Sequence, residues 1–89
     1  MNPDTILSIP PQVMSRLVDD DTVLLDLESG MYFGLEGVGK RIWDSVAEGC
    51  SIGEIAAIIT ADFEVDEARA QADVVAFTSD LVERGLLVE

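Results

Sequence analysis

The hydrophobic pattern of this chain changes period at Gly37, and that change restricts the folds open to it. Before Gly37 the apolar residues fall in short runs rich in β-formers; after it they recur every three or four residues. A strand-forming half followed by a helix-forming half predicts an α+β domain rather than a helical bundle or an alternating α/β sheet. Val13 to Val18 reads as a first strand, closed by the turn cluster Asp19-Asp20-Asp21, whose like charges favour water. Thr22 to Leu27 reads as a second strand. Glu28-Ser29-Gly30 is a short connection with Gly30 where a hairpin needs positive φ, and Met31 to Leu35 is the third strand. Pro3 and Pro10-Pro11 keep residues 1–12 extended, with Ile6, Leu7 and Ile9 as an edge segment or an apolar latch.

Three helices follow. Val38, Ile42 and Val46 form an apolar stripe flanked by Trp43 and Ala47, and Gly49 stops that helix. Ser51-Ile52-Gly53-Glu54 has the form of a capping box, with Cys50 and Ile55 at the flanking staple positions. The second helix is expected from Ile52 to about Ala61, burying Ile52, Ile55, Ile59 and Phe63. Asp66 caps a third helix that runs to about Arg84 and stops at Gly85. One face of it carries Ala70, Val74, Phe77 and Leu81; a second, semi-apolar face carries Gln71, Val75, Thr78 and Val82. Leu86-Leu87-Val88 is a short tail expected to pack back on the domain.

Composition narrows the function. Eighteen acidic residues against five basic ones give a net charge of −13, which excludes a phosphate-binding surface and so a nucleic-acid partner. It also opposes docking on an anionic membrane, and no apolar run approaches the length of a bilayer span. With no histidine, imidazole general-base catalysis and His-ligated metals are out. The single cysteine, Cys50, cannot form an internal disulfide and has a structural explanation as the staple residue. Binding is therefore the expected class, with no enzyme activity, cofactor or metal. No signal peptide is visible, so a cytoplasmic location is expected.

Met31-Tyr32-Phe33-Gly34-Leu35 is the segment richest in functional content. Alternation puts Met31, Phe33 and Leu35 on one face and Tyr32 and Gly34 on the other, so both faces are apolar or aromatic. One reading is a strand with a core face and a half-buried surface tyrosine. The other is an open edge that accepts a peptide strand, since nothing there, neither lysine nor proline, discourages pairing; the same edge permits self-pairing into a homodimer. Were Val75, Thr78 and Val82 to lie beside that strand, the two would enclose an apolar groove, where Asp73 and Asp80 would attract a basic partner residue. Asp44-Ser45-Val46 resembles the modified serine site of acyl or peptidyl carriers, but it falls inside a helix after three strands. An exposed polar helix position is the stronger reading of Ser45.

The order of these features resembles the PqqD-like family of RiPP recognition elements, small leader-peptide-binding domains used in making ribosomally synthesised, modified peptides. The matching residues are Tyr32-Phe33-Gly34-Leu35, Gly39, Ile42-Trp43 and Gly49-Cys50-Ser51-Ile52 with Glu54-Ile55. They continue with Phe63-Glu64-Val65-Asp66, Asp73-Val74, Phe77, Leu81 and Arg84-Gly85-Leu86. A departure is Glu36, where asparagine is common in the family and would cap the first helix better. The resemblance implies a winged-helix-like fold, a three-stranded antiparallel sheet followed by three helices, over a single domain spanning residues 1–89. It implies a non-catalytic peptide chaperone whose third strand pairs with the precursor's leader. The peptide-binding residues would be Met31, Tyr32, Phe33 and Gly34, with Gln71, Asp73, Val75, Thr78 and Val82 on the third helix. The partners implied are a precursor leader peptide and a leader protease or other modifying enzyme. Because the chain runs from Met1 to just past the third helix, a standalone subunit is expected. Lasso-peptide biosynthesis is favoured over a PQQ-type adaptor for a radical enzyme, and a carrier domain modified at Ser45 is the alternative from another class.

Overall fold

The computed structural model describes residues 1–89. Its elements are β1 (Val13–Val18), β2 (Asp21–Asp26), β3 (Tyr32–Leu35), α1 (Gly37–Ala47), α2 (Ile52–Phe63) and α3 (Glu67–Glu83). The strands form one antiparallel sheet in the order β1-β2-β3, so β3 is an edge. In the register of β2 and β3, Thr22 faces Leu35 and Leu25 faces Tyr32. This is the expected β-β-β-α-α-α order. The second strand lies one residue earlier than its apolar run implied, and Met31 stays outside β3. Met31 belongs to the hairpin loop instead: its N–H donates to Ser29 Oγ at 3.2 Å. The Asp26 carboxylate organises that loop, accepting from the Glu28 N–H at 3.0 Å and the Ser29 hydroxyl at 3.1 Å, and Gly30 takes φ +74°.

The core lies between one face of the sheet and the three helices. Leu24 and Leu35 enter it from the sheet, Ile42, Trp43 and Val46 from α1, Ile52, Ile55 and Ile59 from α2, and Ala70, Val74 and Leu81 from α3. Burying an aliphatic side chain of this kind contributes about 1.5–3 kcal/mol. The helix starts follow the capping chemistry of the sequence. Ser51 Oγ accepts from the Glu54 N–H at 3.2 Å while Glu54 accepts from the Ser51 N–H at 2.8 Å, and Asp66 accepts from the Arg69 N–H at 2.8 Å. Glu36 provides no side-chain cap for α1.

The two ends of the chain close the domain together. Ser8 and Val88 exchange both backbone hydrogen bonds, at 2.8 and 2.9 Å, and the Thr5 and Pro3 carbonyls accept from the Ile52 and Gly53 N–H groups at 2.9 Å each. The N-terminal segment is thus a latch that satisfies the free donors of α2, and Leu7, Leu86 and Leu87 are buried beneath it.

Two expected burial states are reversed. Phe63 is exposed, because it is the last residue of α2 and the chain leaves through Glu64 at φ +53°. Ser45 is fully buried rather than exposed, its hydroxyl donating to the Arg41 carbonyl one turn earlier at 2.8 Å. No helix is long and apolar enough to cross a membrane.

Candidate functional site

The site is built on the free edge of β3. In an antiparallel ladder, opposed residues alternate between pairs that exchange hydrogen bonds and pairs whose N–H and C=O groups point away from each other. The Asp26 N–H donates to the Met31 carbonyl at 3.0 Å, which makes 26/31 a bonded pair. Alternation from there makes 24/33 and 22/35 bonded pairs, and leaves the backbone groups of Tyr32 and Gly34 directed out from the sheet edge. Both residues are exposed, Tyr32 at 70%, and no atom lies within 4 Å of where a Gly34 Cβ would stand. An added strand would therefore find free donors and acceptors and no side-chain obstacle.

Beside this edge a groove of about 670 Å³ runs between the β3–α1 junction and α3. Its floor is Leu35, Val38, Ile42, Ala76 and Phe77, and its rim carries Glu36, Asp73 and Asp80. Asp80 is paired with Arg84 at 2.9 Å and Asp73 with Arg69 at 3.4 Å, whereas Glu36 has no cationic partner. The Arg84 guanidinium also lies over the Phe33 ring, 6.0 Å from its centroid, and so connects α3 to the edge strand.

The α3 residues at this groove are Asp73, Ala76, Phe77 and Asp80, spaced i, i+3, i+4, i+7 along one stripe. Of the expected helix residues, only Asp73 is among them. Gln71 and Val75 instead line a small cleft with Met1, Asn2 and Pro3. Thr78 is fully buried and donates to the Val74 carbonyl at 2.7 Å, and Val82 is half-buried against the core. The reason is rotational: at 3.6 residues per turn the stripe through Gln71, Val75, Thr78 and Val82 stands roughly opposite the stripe through Asp73 and Asp80. The N-terminal latch runs along that side and leaves Gln71 and Val75 exposed. Of the expected strand residues, Tyr32, Phe33 and Gly34 form β3, and Met31 is exposed just before it.

The family model for coenzyme PQQ synthesis protein D (PqqD) matches residues 21–87, well over half of the chain. No curated protein sequence matches. The structure of TbiB1 in complex with the TbiA(beta) leader peptide is 40% identical, with a TM-score of 0.84 over 89% of this chain and 92% of that one. The structure of a lasso peptide synthetase B1 complexed with the leader peptide is 27% identical, with a TM-score of 0.88 over 96% of this chain and 100% of that one. With this family match, this identity and a shared fold over nearly the full length, the chain belongs to the PqqD family of non-catalytic RiPP recognition elements.

Proposed function

We propose that this protein is a leader-peptide adaptor. It binds the leader of a ribosomally made precursor as a fourth strand on β3 and delivers it to a leader protease or modifying enzyme in the cytoplasm. The observation that carries this reading is the juxtaposition of the unpaired β3 edge, Tyr32 and Gly34, with the apolar groove floored by Leu35 and Phe77. Main-chain hydrogen bonds supply affinity on such an edge, and pockets for alternate side chains supply selectivity. Leader residues opposite Phe33 and Leu35 would face the groove, and a large apolar side chain there would cover Phe77. Glu36, the rim carboxylate without a cationic partner, favours a leader with a basic residue close to that anchor. Holding the leader raises the local concentration of the core peptide at the enzyme.

A lasso-type pathway is supported by the resemblance to a lasso synthetase subunit across 96% of the chain. The PQQ-type reading rests on the description of the family model alone. The test is fluorescence anisotropy of the labelled leader peptide encoded beside this chain. Saturable binding in the sub-micromolar to micromolar range is expected, and no binding to a leader that its own enzymes process would overturn the reading.

A further inference from the structure

The sheet has a second face that the groove does not use. Its side away from the helices carries Met14, Val18, Val23, Leu25 and Tyr32, which with Arg16 enclose a shallow concavity of about 430 Å³. Met14 is 56% and Val18 47% exposed, and no helix, latch or tail covers them. A contiguous apolar patch on a small acidic domain marks an interaction surface. No carboxylate lies among the residues of this concavity, although the chain carries eighteen; Asp19, Asp20 and Asp21 stand at one end of the strands, and Asp26 and Glu28 at the other.

We infer that this outer face is the docking surface for the enzyme that acts on the bound precursor, and that the partner presents an apolar patch edged by lysine or arginine. The inference rests on the leader-adaptor reading. Two observations select this occupant. A second copy of the chain would bring another net charge of −13 against the acidic ends of the sheet, whereas a cationic rim would complement them. Tyr32 also belongs to both surfaces, since its backbone faces the open edge and its side chain faces the concavity. A leader strand added to β3 would alternate its side chains, so those opposite Tyr32 and Gly34 would extend this same face. The enzyme would then contact adaptor and leader together, and by linkage would bind the loaded adaptor more tightly than the empty one.

The test uses the double variant Met14→Glu/Val18→Glu, at two exposed positions that leave the core untouched. Its circular dichroism and its anisotropy titration with the leader are compared with the unmodified protein, followed by the rate of precursor cleavage or modification by the enzyme encoded with this chain. Leader affinity within about twofold, with processing at limiting adaptor lowered about tenfold or more, is the expected result. Normal processing by a folded, leader-binding variant would overturn the inference. Loss of leader binding in the folded variant would also overturn it, by assigning this face to the leader. Self-association of the unmodified protein in sedimentation, abolished by the variant, would replace the enzyme by a second copy. Failure of the unmodified protein to bind leader would instead count against the adaptor reading itself.

Discussion

A Cβ at Gly39 would stand 3.2 Å from both Cε1 and Cζ of Phe77, so the absence of a side chain on α1 sets where the floor of the groove lies. Gly39 to alanine should therefore act on binding more than on stability. Alanine gains about 1 kcal/mol of helix propensity over glycine, and crowding the ring costs about 1–3 kcal/mol. The ring borders the open groove and can yield by the few tenths of an ångström that the contact demands, so the cost falls at the low end of that range and the two offset, which predicts a melting temperature within a few degrees of the original. The displaced ring should fill part of the groove and weaken leader binding several-fold, as read by anisotropy. Unchanged affinity would mean that Phe77 is not under the leader.

The alternation of bonded pairs along β3 separates two proline substitutions that look alike in sequence. The Gly34 N–H faces the open edge, and the Phe33 N–H faces β2. Gly34→Pro should keep the sheet and remove a donor offered to the leader, lowering its affinity about tenfold or more with the far-ultraviolet spectrum retained. Phe33→Pro should break a ladder bond and remove a partly buried ring, destabilising the domain by about 2–4 kcal/mol. Greater destabilisation by Gly34→Pro than by Phe33→Pro would show that the edge assignment is inverted.

Which residues the β3 edge exposes is legible in the sequence because a period of two leaves little freedom: once Leu35 is inside, Tyr32 and Gly34 are outside. The face that α3 turns to the groove is not legible. Around α3 the apolar residues span more than one face, and sequence gives no origin for the rotation. Val75 and Val82 read as the wall of a groove because they are apolar, yet Val75 borders the N-terminal latch near Met1 and Pro3 and Val82 packs against the core. The groove stripe reads as polar because Asp73 and Asp80 dominate it, and Phe77 reads as a core residue. The approach of Gly39 to Phe77 ties that stripe to α1, and the contact lies between positions 38 residues apart.

Ser45 was misplaced for a related reason. A serine amid charged neighbours reads as solvated, but the hydroxyl returns its hydrogen bond to the Arg41 carbonyl and fits inside the core. A serine without solvent exposure cannot enter a transferase site while the domain is folded. Incubation with a phosphopantetheinyl transferase and coenzyme A should leave the intact mass unchanged. Addition of the prosthetic group at Ser45 would reinstate the carrier reading.

The capping box of α2 predicts a defined pH dependence. The backbone N–H of Ser51, and then its side chain, hold the Glu54 carboxyl below the usual carboxylate range. A group whose folded pKa is depressed contributes stability above its unfolded pKa and loses it as the pH falls through the folded value. The contribution should be complete near neutrality and should disappear on acidification below the ordinary glutamate range. Glu54→Gln keeps an acceptor for the Ser51 N–H but does not titrate. The unmodified protein should therefore melt higher than the glutamine variant at about pH 7, and the gap should close towards about pH 3. Taking the difference between the two proteins cancels the protonation of the other carboxylates, which otherwise dominates the acid behaviour of so negative a chain. A gap that persists unchanged into acid would mean that the carboxylate charge contributes nothing to the cap beyond its hydrogen-bond geometry.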